Sequence, residues 1–428
     1  MQHTRRKPTS LAAAAALAVV GVSVLGACSS DDGGSGSGDG STDAAGGTYT
    51  WWDPYPQHDG SSDWEARVQA CGEEAGVTIE RTAYDTTALT NQALLSAQEG
   101  TSPDVILIDN PAVSTLADTG ILTTVEEFGL DTSAIDQNLL DAGVVDGEAY
   151  GIPIGANTLS LYYNADILSD AGVDPASITD WDSLTAALAQ VTDAGHKGIT
   201  FAGIGTEEGS FQFLPWFWGA GADLTDLDSP EAVEALELWK GWLDQGYAPN
   251  TVINNSQNTV WEEFLTGDFA FAENGTWQVN SAAEAEFETG IVQLPAQDGG
   301  VAPAPTGGEF IVAPVQEDTA RYEVTRQIVE CMTTPEGFVE TANTFAYYIP
   351  PTAEGQEQLL AESGEDADLE PWVEAVQNAK GRTSDGLGTD YPVISEALWT
   401  AVQNALSGAA TPAEALETAQ ADAEAATS

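Results

Sequence analysis

From Thr48 onward the chain alternates short apolar runs with helical stretches of about ten residues, and this alternation leaves few folds open to it. The runs at 49–52, 77–84 and 105–108 read as strands, with helices at 62–75, 88–99 and 111–118 between and after them. Ser62 and Glu65 are spaced as a capping box, while Gly76 and Gly100 stand where helices would close. Strand–helix–strand units of this size build parallel sheets with helices on their faces. The second half repeats the alternation with more helix, at 181–194, 230–245 and 260–265, before a strand at 269–272. Pro230 suits a first helical position and Gly246 a position just past a helix end. Helices at 370–379, 393–406 and 412–426 complete the pattern, and the lack of a 20–50-residue repeat argues against a solenoid. A chain of 428 residues exceeds what one core usually holds, so two domains are expected.

Charge narrows the partners. The chain has 11 Lys+Arg and 68 Asp+Glu, a formal net charge of −57. Residues 1–27 hold three of the basic groups and no acid, so the remaining 401 residues carry 8 − 68 = −60. A nucleic-acid partner is not expected, because binding phosphate backbones rests on Lys and Arg. Anionic membrane surfaces are disfavoured for the same reason. The 12 Trp, 11 Tyr and 12 Phe supply a sizeable core, and the acidity reads as solubility in a salty exterior, with binding of a cationic ligand as the alternative.

The first residues carry an address. Arg5, Arg6 and Lys7 precede an apolar run at 11–25 that is short for a membrane span and fits a signal peptide over 1–27. The run ends in Leu25-Gly26-Ala27-Cys28, which resembles the lipobox of bacterial lipoproteins, with Cys28 as the lipidated residue. Residues 28–47 are nearly all Ser, Gly, Asp and Ala and read as a flexible tether. The expected location is the outer face of the cell membrane, held only through Cys28. Whether Arg5-Arg6 marks twin-arginine rather than general export stays open. Two further cysteines, Cys71 and Cys331, lie in helical stretches of an exported chain, where a disulfide is expected and two separate buried thiols are the alternative.

Aromatic placement points toward a ligand. Trp51-Trp52-Asp53-Pro54-Tyr55 sits where the first strand runs into a loop, Trp216-Phe217-Trp218 follows Pro215, and Trp277 follows the strand at 269–272. Flat aromatic faces match the C–H face of a pyranose, and nearby carboxylates and amides suit its hydroxyls. Core packing is the competing reading for any single Trp. In open parallel sheets, ligands bind at the carboxyl ends of strands. Carboxylate pairs such as Asp53 with Asp59, or Glu207 with Glu208, also suggest a glycoside hydrolase. With 68 acids such pairs arise by chance, and only His58 and His196 lie beyond the signal, too few for a triad or zinc site. No phosphate-binding glycine loop occurs, and the acidic stretch 223–228 lacks EF-hand spacing, so neither metal nor cofactor is expected. A surface adhesin would not need aromatics at strand ends.

Ser102-Pro103-Asp104-Val105-Ile106, Leu116-Ala117-Asp118-Thr119-Gly120-Ile121-Leu122, Tyr150-Gly151-Ile152-Pro153-Ile154 and Leu159-Ser160-Leu161-Tyr162-Tyr163-Asn164 occur in that order. Gly267-Asp268-Phe269-Ala270-Phe271, Asn274-Gly275-Thr276-Trp277, Gly307-Gly308-Glu309-Phe310-Ile311 and Thr334-Pro335-Glu336 follow. In order and spacing these resemble the extracellular solute-binding proteins of ATP-binding-cassette sugar importers, the family that includes maltose-binding protein. The resemblance implies an α/β, two-lobed periplasmic-binding-protein-like fold with parallel-rich sheets and a hinged interlobe cleft. Lobe one would be 48–157 plus 309–366 and lobe two 158–308 plus 367–428, with crossings near 157–160, 306–309 and 363–368. Both Cys71 and Cys331 then fall in lobe one.

The resemblance further implies a monomer that takes a carbohydrate ligand, of oligosaccharide length, and delivers it to permease subunits without enzymatic turnover. Trp277 matches a Trp of the cleft, and Phe211 falls at a stacking position with Glu208 and Gln212 beside it. Asn157 stands where maltose-binding protein has an acidic sugar contact, so a different hydroxyl pattern is expected. Asp53 and Gln57 lie in a polar loop after the first strand, and Asp109 and Asn110 in the loop supplying lobe-one contacts. Trp52, Tyr55, Trp216, Gly308, Tyr347 and Tyr391 complete the expected ligand set. A receptor for another neutral polar solute, or a cell-surface glycoside hydrolase, are the alternatives.

Overall fold

A computed structural model describes residues 47–344, 348–363, 369–384 and 386–427. The expectations for Cys28, for the signal and most of the tether, for Tyr347 and for most of the crossing at 363–368 lie outside the described residues.

The apolar runs assemble into two sheets. The first has the order Thr78–Ala83, Thr48–Asp53, Val105–Asp109, Glu309–Val312, Ile152–Pro153. Its first three strands are parallel, joined by the helices Asp63–Glu74 and Thr86–Glu99, while Glu309–Val312 returns antiparallel between Val105–Asp109 and Ile152–Pro153. Val105 through Ile108 are buried without alternation, as expected of a strand covered on both faces. The second sheet has the order Thr289–Val292, Leu159–Asn164, Phe269–Gly275, Lys197–Thr200. Leu159–Asn164 arrives from the first sheet and runs antiparallel to both neighbours, whereas Lys197–Thr200 and Phe269–Gly275 are parallel. The chain thus passes from one sheet to the other between Pro153 and Leu159, and returns between Val292 and Glu309.

Local chemistry explains the element ends. The Ser62 hydroxyl accepts from the Glu65 amide at 3.1 Å, which is half of the expected capping box. The Glu65 carboxylate instead accepts from Gln69 at 2.9 Å and Arg81 at 3.2 Å. Glu207–Gly219 is one helix that runs through Pro215, with Trp216 and Trp218 buried in its last turn. Every residue from Gly209 to Trp218 is buried, and that packing outweighs the hydrogen bond that proline cannot make.

Each sheet has its own core. Trp216, Trp239, Trp242, Phe201, Phe213 and Phe217 are fully buried under the second, with the Phe201 and Trp239 ring centroids 4.0 Å apart. Trp51, Trp64 and Tyr49 pack under the first. A third cluster, containing Ala156, Ile349, Tyr162, Trp261 and Trp372, joins segments from both. Cys71 and Cys331 form a disulfide between the helices Asp63–Glu74 and Arg321–Met332, with Cα atoms 5.6 Å apart. Among the described residues no helix is long and apolar enough to cross a membrane.

Candidate functional site

The strand Val105–Asp109 ends at Asp109, whose side chain leaves the following helix uncapped and is free to face outward. Glu207 begins the helix Glu207–Gly219, and Trp277 lies in the turn Thr276–Gln278 that follows the strand Phe269–Gly275. These positions, from both sheets, meet around a cleft of about 520 Å³. Its walls are Asp109, Asn157, Thr206, Glu207, Glu208, Phe211, Gln257, Trp277, Gly307, Gly308, Glu309 and Arg382. Two other concavities, one beside Arg321 and one beside Asp146, have comparable volumes of about 470 and 520 Å³. Neither carries an aromatic wall, so they lack the flat apolar surface that Phe211 and Trp277 give this cleft.

The segment carrying Gly307 and Gly308 is shaped for this cleft. Asn157 and Gly307 exchange backbone hydrogen bonds of 3.2 and 2.9 Å. A Cβ at Gly307 would come within 2.0 Å of the Asn157 Oδ1 and 3.2 Å of the Phe211 ring. Gly308 has a φ of +108°, a conformation costly for any residue with a Cβ. The Phe211 and Trp277 rings lie 6.4 Å apart, tilted by 49°.

Arg382 is the electrostatic centre. It is 3% exposed and follows the short strand Lys380–Gly381, which pairs with Pro305–Thr306 between the two sheets. One arm donates to Glu207 at 2.9 Å, and the other donates to Asp109 at 2.9 Å and Asn110 at 3.1 Å. The guanidinium also sits 5.1 Å over the Phe211 ring. Burial opposes its charge, but the Asp109 and Glu207 carboxylates outweigh that and raise its pKa above the ordinary arginine value. Glu207 accepts further hydrogen bonds from Tyr391 at 2.6 Å and from Ser395. Glu309 accepts from the Tyr348 hydroxyl at 3.0 Å, and burial together with nearby Asp109 pushes its pKa up to about 7.

Six residues named from the sequence line this cleft: Asp109, Asn157, Glu208, Phe211, Trp277 and Gly308. The others sit elsewhere. Asp53 is fully buried, gripped by Arg81 through both carboxylate oxygens and by the indole N–H groups of Trp51 and Trp64. Gln212 ties its helix to the second sheet through the Ala202 amide at 2.8 Å and the Glu273 carbonyl at 3.1 Å. Trp216 is fully buried and donates to Glu273 at 2.9 Å. Burial removes these three from the contact set. Trp52 packs on Tyr84, centroids 5.3 Å apart, and Gln57 is exposed in the turn beyond the first strand.

Tyr55, Asn110 and Tyr391 stand one hydrogen bond behind the wall. The Tyr55 hydroxyl meets that of Tyr348 at 3.3 Å, which in turn donates to Glu309, Asn110 accepts from Arg382 at 3.1 Å, and Tyr391 donates to Glu207. Sequence reasoning missed Arg382, Glu309 and the role of Glu207. The available signal was scarcity: with eight basic residues after position 27, a lone Arg between Gly381 and Thr383 had something to neutralise. Among the described residues no cluster of three or more His, Cys, Asp or Glu is placed to hold a metal ion.

Comparison with known proteins fits this geometry. The maltodextrin-binding protein MdxE of Bacillus subtilis is 26% identical over 280 residues, covering 59% of this chain and 60% of that protein. A maltooligosaccharide ABC transporter solute-binding lipoprotein of Streptococcus pneumoniae is 25% identical over 255 residues, covering 57% and 59%. The chain therefore spans less than two thirds of either relative's length. The crystal structure of a cyclic alpha-maltosyl-1,6-maltose binding protein from Arthrobacter globiformis superposes with a TM-score of 0.76 at 25% identity, over 89% of this chain and 98% of that one. The shared fold is two-lobed α/β with an interlobe cleft. Residues 66–418, well over half the sequence, match the family described as bacterial extracellular solute-binding protein, and the chain belongs to that family.

Proposed function

We propose that this protein captures a carbohydrate, of oligosaccharide length, outside the cell and delivers it to the permease subunits of an ABC transporter. The observation that carries the reading is the Phe211–Trp277 pair beside Asp109, Asn157 and Glu208 in one cleft. Such a wall stacks on pyranose faces and bonds their hydroxyls. Family membership and the sugar-binding relatives support it. The lobes are 48–157 plus 309–366 and 158–308 plus 367–428, closing on ligand by hinge rotation. A monomer held to the membrane by lipid on Cys28, behind a signal peptide and tether, completes the picture.

The reading is binding without turnover. Glu207, one half of the carboxylate pair that suggested hydrolysis, is already engaged by Arg382, Tyr391 and Ser395. Hydrolysis of a chromogenic glycoside by the purified protein would replace this reading with the enzyme. The main test is calorimetric titration with a panel of mono- and oligosaccharides, repeated on Trp277→Ala. Removing a hot-spot aromatic costs on the order of 2 kcal/mol, so affinity should fall about thirtyfold in a folded variant. Unchanged affinity would move the site away from this cleft.

A further inference from the structure

The walls of the cleft are unevenly supplied with charge. Asp109 and Glu309 stand directly opposite each other on antiparallel strands, where like charges repel. One guanidinium serves the region, and its arms are taken by Glu207, Asp109 and Asn110. Glu309 forms no ion pair among the described residues. The groups facing it are Asp109 on the neighbouring strand, the hydroxyls of Tyr55 and Tyr348, and more weakly Arg382. Glu208 adds a carboxylate with one oxygen on the Gln257 amide at 2.9 Å. With both arms of Arg382 taken, the titratable groups left without a cationic partner on this wall, among the described residues, are the carboxyls of Glu309 and Glu208, and the other polar groups that line it, Asn157, Thr206 and Gln257, are neutral. An anionic sugar is repelled here, a neutral hydroxyl uses one acceptor, and a cation relieves the opposed pair as well. The Trp277 face nearby is a surface that also attracts cations.

Resting on the carbohydrate reading above, we propose that the ligand is a saccharide carrying a basic nitrogen, its ammonium placed between Asp109 and Glu309 and its ring face on Trp277. The site then discriminates by charge as well as by shape. Cation binding favours ionised Glu309. At pH 6 a group with a pKa of about 7 is mostly protonated, so binding should release up to about 0.9 proton per ligand.

The test is calorimetry on the full chain at pH 6, in two buffers of different ionisation enthalpy. The probes are the trisaccharide of glucosamine, its N-acetylated form and maltotriose. The amine should bind at least tenfold more tightly than either neutral trisaccharide and release a proton, and Glu309→Gln should abolish the release and shrink the preference. Equal or tighter binding of a neutral trisaccharide, or amine binding without proton release, overturns the proposal and leaves the carbohydrate reading intact. Binding of none of the three, nor of any sugar in the wider panel, overturns both. Should Glu309→Gln fail to fold, proton release by the wild type still decides.

Discussion

Asp53 and Arg382 show how one type of contact serves two ends. Both are buried members of Arg–carboxylate pairs, yet Asp53 faces the core through Trp51 and Trp64, and Arg382 lines the cleft. Removing one partner of such a pair costs about 3–5 kcal/mol, because the other charge stays buried. Asp53→Asn should therefore lower stability and leave the affinity of the folded protein unchanged, whereas Arg382→Met should lower both. Denaturant unfolding and ligand titration on the two variants separate the cases. Glu273 adds a pH dependence: it is fully buried, with one carboxylate oxygen on Trp216 and the other without a partner among the described residues, and burial raises its pKa well above the usual carboxylate range. The native state then holds a proton that the unfolded chain releases near pH 4.3. Its contribution to stability is complete below that pH and is lost as pH rises toward the raised folded value. Glu273→Gln should flatten the stability profile above pH 4.3, which thermal melts across pH 4–8 would detect.

At the scale of elements, the disulfide fastens Asp63–Glu74 to Arg321–Met332 across 260 residues of sequence. On the chain-entropy argument, closing such a loop stabilises by roughly 5 kcal/mol. Cys71→Ser should lower stability by up to that amount, and thiol labelling of the unreduced, unfolded wild type should find neither Cys71 nor Cys331 free. The helices and strands that were legible in the sequence are those specified locally: Ser62 opens a helix, Pro230 occupies a first turn, and Val105–Ile108 is apolar without alternation, whereas the helix Glu207–Gly219 and the strands Lys197–Thr200 and Thr289–Val292 carried no such mark. The pairing of Cys71 with Cys331 followed from number and compartment. Trp216 was expected to face a ligand because its segment is rich in aromatics, a local signal, whereas its burial against Glu273 is a contact across 57 residues. The wall of the cleft was half legible. Trp277 sits just past a strand, a position that a sequence marks. By contrast, Arg382 reaches Asp109 across 273 residues and Glu207 across 175, and no spacing rule connects them.

For the whole molecule, a net charge of −57 makes self-repulsion a global term rather than a property of one patch. Screening should relieve it, so the melting temperature should rise as NaCl is taken from about 0.01 M to about 1 M. A fall would mean that the few Arg-centred pairs dominate instead. Two connections between strands of the two sheets lie at 153–159 and 292–309, and the chain passes to the second core once more after Val312, so motion of one sheet relative to the other involves all three spans. The covalent link between residues 71 and 331 reaches further still. All four strands of the second sheet belong to the ring it closes, while the terminal helices Tyr391–Leu406 and Pro412–Ala426 lie beyond the ring and pack into the same core. The covalent path between the two ends therefore bypasses the second sheet, running through residues 48–71, the sulfur bridge and residues 331–427. While the bridge holds, the chain's maximum extension is shorter by about 900 Å, and the strand that leads to Trp277 lies within the closed ring rather than on the covalent path.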